Sequence, residues 1–143
     1  MEVRELAAGE TALAYAAMVA LRPEIGPVEA FVHRVDAEQR PEGYRLAAVV
    51  DATGAATAVA GFRTGHSLSR GHYLFVDDLV TRPEHRSLGH GKALLDWVRH
   101  EAARSGCDEV HLDSGPQRHG AHRFYLREGF DISSFHFCVP VDR

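Results

Sequence analysis

"RPEHRSLGHGKALLDWV", residues 82–98, sets two glycines between basic residues just where an apolar helical stripe begins. Gly89 and Gly91 flank His90, Arg86 stands three residues before the first glycine, and Lys92 follows the second. From Lys92 onward, Ala93, Leu94, Leu95, Trp97 and Val98 recur at helical spacing, so the spacing predicts a helix over 92–104. Unpaired backbone N–H groups and the positive end of the helix dipole gather at such a start, which makes it an anion site. Glycine lets the backbone approach a ligand with no Cβ in the way. The amides of Ser87, Leu88, Gly89, His90, Gly91 and Lys92 can converge on phosphate oxygens, with Arg86 and Lys92 adding positive charge. The segment is not a Walker A loop, because G-x-x-x-x-G-K-[ST] is missing and Ala93 follows the lysine. Nor does it carry the third glycine of a dinucleotide fingerprint.

Working outward, "HYLFVDDLVT" (72–81) is the most hydrophobic predicted strand and runs straight into the glycine segment. Upstream, Tyr44–Asp51 and Ala56–Thr64 are separated by "ATGA", which predicts an antiparallel hairpin. Strands are also expected at Glu2–Leu6, Glu109–Asp113 and Ser133–Val139. Helices are expected at Thr11–Leu21, from Pro27 through Val35, at Lys92–Arg104 and at about Ala121–Glu128. The order β, α, α, β, β, β, α, β, α, β describes one α/β domain over 1–143 around a mixed sheet of about six strands with about four helices.

Bulk properties narrow the function. The 143 residues are 45% hydrophobic and 25% charged, the pattern of an ordinary globular chain. A formal net charge of −4 argues against nonspecific nucleic-acid binding, and no apolar run reaches the ~20 residues of a membrane span. The only two cysteines, Cys107 and Cys138, form no disulfide framework, and the first residues lack the features of a secretory leader, so a cytoplasmic location is expected. Ten histidines are scattered along the chain, but neither H-E-x-x-H nor paired cysteines occur, so no metal site is expected.

The stretch "VDDLVTRPEHRSLGHGKALL" resembles the acyl-coenzyme-A-binding segment of the GNAT N-acetyltransferase superfamily, and "AHRFYLREGF" (121–130) resembles the family's second signature. The two lie about thirty residues apart, and the order of elements is similar to the family's. The resemblance implies a GNAT fold in which a bulge splays two neighbouring parallel strands, here 72–81 and 109–113, and acetyl-coenzyme A enters between them. It implies that Leu79, Val80 and Thr81 pair with the pantetheine arm, and that Ser87 to Lys92 hold the pyrophosphate. Arg118 falls where many members carry a cofactor-touching asparagine, and is a departure from that pattern.

Tyr125 matches the family's tyrosine beside the thioester sulfur and would be the general acid, since a phenol of reference pKa about 10 is protonated at neutral pH. The N–H of Val80 or a neighbour would meet the oxyanion. The base is open between Asp113, which sits where related enzymes often place a carboxylate, and the acids Asp77 and Asp78 interrupting an apolar strand; His111 shares a face with Asp113. Structural salt bridges are an equal reading of Asp77 and Asp78.

The implied activity is direct transfer of acetyl from acetyl-coenzyme A to a primary amine. The acceptor is a small molecule (aminoalkylphosphonate-like, polyamine or aminoglycoside-like) or a protein, and the alternative is a non-catalytic acyl-coenzyme-A sensor. The string "LDSGPQRHGAHRFYLREGF" is also similar to aminoalkylphosphonate acetyltransferases within the superfamily. The resemblance allows a homodimer without indicating its interface.

Overall fold

A computed structural model describes residues 1–143, which divide into two compact units, Met1–Leu112 and Asp113–Arg143. The first unit is built on a five-stranded sheet in the order β1-β2-β3-β4-β5, made of β1 Glu2–Leu6, β2 Arg45–Val50, β3 Ala56–Ser67, β4 Gly71–Thr81 and β5 Glu109–Leu112. The first four strands are antiparallel neighbours; β5 lies parallel to β4, with Tyr73–Val76 against Glu109–Leu112. The β2–β3 hairpin turns at Asp51, whose carboxylate accepts hydrogen bonds from the Thr53 and Ala55 N–H groups, while Gly54 takes a φ of 86°.

Helices cover both faces of this sheet. On one face a 3-10 segment Ala8–Ala14 leads into α1 Tyr15–Leu21, followed by α2 Val28–His33, which continues as a π turn over Arg34–Gln39. Met18, Phe31 and Val35 pack there with Leu6, Tyr44, Leu46, Val59 and Val80. The expected helix 11–21 therefore starts as a tighter 3-10 coil. On the other face, α3 His90–Arg104 places Leu94, Val98 and Ala102 against Ala47, Val49, Phe62, Leu74 and Val76. The 3.6-residue stripe starting at Lys92 is what drives α3 onto the sheet.

One buried acid supports α3. Glu101, 7% exposed, accepts from Arg104 at 2.6–2.8 Å and from Arg45 Nη2 at 2.5 Å, and Arg45 also forks onto Glu5. The Arg104 hydrogen bonds, with Arg45 adding to them, hold the Glu101 carboxyl down at about 2 despite burial.

The second unit contains α4 His119–Arg127, which ends at Gly129 with a φ of 93°. Beyond it no helix or strand forms, so the strand expected over Ser133–Val139 is not made and the sheet has five strands rather than six. Phe135, Phe137 and Val139 have the alternation of a strand, but alternation shows only that one face wants cover; a strand also needs a neighbour to bond.

Candidate active site

The site is organised by a bulge in β4. Gly61 stands opposite Asp78 and Phe62 opposite Val76, so Asp77 is an extra residue with no partner in β3. The insertion reverses the side-chain parity of the strand. Val76 and Leu79 pack on the α3 face, whereas Val80 packs on the α1 face. Asp78 thus turns to the α1 side although it is two residues from Val76. Pairing with β5 ends at Val76–Leu112, so Asp77–Thr81 has β3 on one side and no strand on the other.

Strand parity assigns that open edge. Arg82 N–H donates to the Thr57 carbonyl, and Val80 pairs with Val59 in the same phase, so the Val80 N–H is directed at β3. Leu79 and Thr81 point their backbone groups the other way, to the open edge. Of the residues considered for an oxyanion donor, it is Val80's neighbours that have an N–H on the free side.

Below β4, Pro83–His85 forms a 3-10 turn, and the chain enters α3 through two left-handed residues, Ser87 with a φ of 65° and Gly89 with 82°. Gly89 is the N-cap of α3 and, having no side chain, supplies no side-chain cap to its first turn. A Cβ on Gly89 would meet nothing within 4 Å; its positive φ is the reason for glycine. Helix α3 starts at His90, two residues before the expected Lys92, so Gly91 belongs to its first turn.

The side chains here divide the work. The ring Nδ1 of His90 lies 2.6 Å from the hydroxyl of buried Thr57, tying the helix start to β3. Lys92 Nζ reaches Asp96 at 3.2 Å, while Arg86 and Leu88 are exposed.

Both acids of the bulge are engaged. Asp77 accepts from Arg63 at 3.0–3.2 Å, and burial raises its pKa against the pull of that guanidinium. Asp78 accepts from Arg22 through Oδ1 at 3.0 and 3.1 Å and from the Tyr44 hydroxyl through Oδ2 at 2.7 Å. Arg22 also donates to the Asp77 carbonyl at 3.2 Å. Burial, then the Asp78 charge, holds Tyr44 as the neutral phenol. A Cβ on Gly61 would fall 1.7 Å from Tyr44 Oη, so the glycine opposite Asp78 is what lets the phenol lie across the strand.

Arg22, Tyr44 and Arg63 are not among the site residues indicated by the sequence. A glycine in the middle of an apolar strand, "AVAGFR", is the one local sign that another group approaches the backbone there.

Asp113, Arg118 and Tyr125 belong to the second unit. Asp113 follows the end of β5 rather than lying within it; its Oδ2 is 3.1 Å from His136 Nδ1. His111, expected to share a face with Asp113, lies 2.8 Å from Glu109. Tyr125 is buried, edge-on to Phe130, while Leu126 on the same helix is exposed. Burial raises the Tyr125 pKa, opposed by the Arg118 guanidinium. Arg118 is the N-cap of α4, and the His122 ring bonds the Gly115 carbonyl at 2.7 Å. Ser114 Oγ is buried with no hydrogen-bond partner.

The bulged strand thus leads, past its open edge, into a glycine-led helix start. Residues 12–130 match the model of the acetyltransferase (GNAT) family. An N-acetyltransferase of Bacillus subtilis (strain 168), YhdJ, itself uncharacterized, is 40% identical over 133 residues, 92% of each chain. The aminoalkylphosphonate N-acetyltransferase of Salmonella typhimurium is 40% identical over 66 residues, 46% of this chain and 43% of that one. The aminoglycoside N-acetyltransferase AAC(6')-Iy, solved in complex with CoA, superposes with a TM-score of 0.85 at 17% identity, covering 98% of this chain and 93% of that one. The chain belongs to the acetyltransferase (GNAT) family. It is an acyl-coenzyme-A-dependent N-acetyltransferase, and acetyl-coenzyme A is its acyl donor. No helix is long and apolar enough to cross a membrane.

Proposed function

We propose that this enzyme acetylates the primary amine of a small molecule that also carries an anionic group, of the aminoalkylphosphonate type. The observation that carries the donor half is the edge of β4 beyond its bulge that no strand covers, running to the glycine N-cap of α3. The Leu79, Val80 and Thr81 segment takes the pantetheine arm as an added strand, through the backbone groups of Leu79 and Thr81. The amides of Ser87, Leu88, Gly89, His90, Gly91 and Lys92, with Arg86, hold the diphosphate.

The amine nitrogen attacks the thioester carbonyl, the N–C bond forms, and the C–S bond breaks. Tyr125 gives its proton to the leaving thiolate, and the proton released by the amine returns through water, with Asp113 as first acceptor. A Leu79 or Thr81 N–H meets the oxyanion. Burial raises the Tyr125 pKa, so the phenol carries its proton, and Arg118 opposes that rise.

The acceptor class follows from charge. Asp77 and Asp78 are matched by Arg63 and Arg22, so the four side chains sum to no net charge and offer little pull on a polycation. The local identity to an aminoalkylphosphonate N-acetyltransferase supports the same reading. Asp78, oriented by Tyr44 and Arg22, then orients the acceptor amine. A family match over residues 12–130, which includes parts of both units, supports one acetyltransferase domain over 1–143, and the free thiols of Cys107 and Cys138 suit a reducing cytoplasm. The test is release of free thiol from acetyl-coenzyme A across an amine panel. Turnover is expected with aminoalkylphosphonates and not with spermidine or aminoglycosides; the reverse order rejects the acceptor assignment, and no turnover with any amine favours the sensor.

A further inference from the structure

We infer that Arg63 and Arg70, laid against the Phe75 ring, receive the anionic group of the acceptor and so select amines with a phosphonate at the far end of an alkyl chain. Phe62, Leu74 and Val76 pack on the α3 face, so Arg63, Tyr73 and Phe75 alternate onto the opposite face, the one to which Asp78 turns. There the Arg63 guanidinium carbon lies 5.0 Å from the centre of the Phe75 ring. That of Arg70 lies 5.6 Å from the same centre and 5.8 Å from the centre of Tyr73. Two cations held against one ring repel each other, and a bound anion relieves that repulsion.

The free capacity is on Arg70. Arg63 directs Nε and Nη2 to Asp77, and the carboxylate of Glu109, beside Tyr73 on β5, is engaged by His111. Arg70 has no carboxylate partner and makes no hydrogen bond through its side chain, so its N–H donors are all free. Its place is nonetheless fixed. The Arg70 N–H donates to Ser67 Oγ at 3.0 Å, and Gly71 follows with a φ of 68°. On β3, a Cβ on Gly65 would fall 2.7 Å from the Tyr73 hydroxyl opposite, so glycine there lets the phenol lie across the strand under Arg70. A stacked but unpaired guanidinium offers the edge of a planar fork, which grips two oxygens of a phosphonate at once.

Charge and reach agree with this. Arg22 cancels Asp78 and Arg63 cancels Asp77, so Arg70 leaves the group positive. Phe75 lies one bulge upstream of Leu79, roughly 10 Å along the strand. The acceptor therefore joins its nitrogen to its anion through several methylenes, and the arginine side chains cover the remaining distance.

The inference rests on the reading of the acceptor as an anionic amine and deepens it, and the test separates the two. Rates are measured with aminobutylphosphonate and with aminopentanol, a neutral amine of similar length. In Arg70→Ala the KM for aminobutylphosphonate is expected to rise about 10- to 100-fold, with kcat, acetyl-coenzyme A affinity and the KM for aminopentanol each within about twofold of wild type. Butylphosphonate, which has the anion and no amine, is expected to compete with aminobutylphosphonate in the wild type and to inhibit Arg70→Ala at least about tenfold more weakly. If the wild type turns over aminobutylphosphonate and Arg70→Ala leaves its KM unmoved, or raises both KM values alike, this site is overturned and the acceptor reading stands. A wild type that does not turn over aminobutylphosphonate overturns both.

Discussion

In the proposed mechanism Tyr125 is the acid, and it is buried against Phe130. Burial favours the neutral phenol, and Arg118 limits how far the pKa climbs. Replacing Tyr125 with Phe removes one oxygen and leaves the ring packing on Phe130 intact. We expect Tyr125→Phe to lower kcat by about 100-fold and to change acetyl-coenzyme A affinity less than twofold; calorimetry and a thiol-release assay separate the two. An unchanged kcat removes Tyr125 as the acid. Gly61 offers a second residue-scale prediction. In Gly61→Ala the new methyl would overlap the Tyr44 hydroxyl, so the phenol must leave Asp78 or the strand must shift. Denaturant unfolding is expected to show a loss of about 2–3 kcal/mol, against about 1–2 kcal/mol for Tyr44→Phe, which removes only the hydrogen bond to a charged acceptor. Equal losses would mean that the close approach at Gly61 is relieved at no cost.

At the scale of elements, the start of α3 and its buried acid carry separate predictions. Gly89 sits at a φ of 82° with open space around it, so an added methyl strains the backbone without striking a neighbour. Gly89→Ala is expected to cost about 1 kcal/mol of stability and to weaken acetyl-coenzyme A binding about tenfold by displacing the amides; undiminished affinity would detach the loop from the diphosphate. Glu101 predicts acid sensitivity. Its folded pKa is depressed to about 2 from an ordinary 4.5, so its stabilisation is fully present above about 4.5 and is lost as pH falls toward 2. The Tm of the wild type should fall more steeply through that window than the Tm of Glu101→Gln, which has no proton to gain. Parallel curves would show that the Arg45–Glu101–Arg104 group does not set the acid limit.

For the whole molecule, ligand linkage distinguishes an acyl-carrier protein from a nucleotide-binding one. Acetyl-coenzyme A at 100 times its Kd should add about 2.7 kcal/mol, raising Tm by about 8 °C, whereas ATP should leave it nearly unchanged. The opposite preference would return the glycine loop to nucleotide chemistry. The family's order of elements is legible along the chain, because strands and amphipathic helices announce themselves by local period. The partners of the acids are not: Arg22 and Tyr44 reach Asp78 from 56 and 34 residues away, and no spacing rule connects them. The last segment misleads for the same reason, since the alternation of Phe135, Phe137 and Val139 is local and the existence of a bonded neighbour is not.

By itself the amino-acid sequence determined the glycine-led helix start, the strand that feeds it, the α/β order and the positions of Tyr125 and the acids. Each of these is written in contiguous residues, where period, capping and backbone freedom act. Only the tertiary structure decided that Asp77 is the extra residue of a bulge, that Asp78 faces α1 with Arg22 and Tyr44, that the Val80 amide turns to β3, and that the sheet stops at five strands. Those depend on register between strands far apart in the chain. A shift of one residue there reverses every face, and no local energy term chooses it.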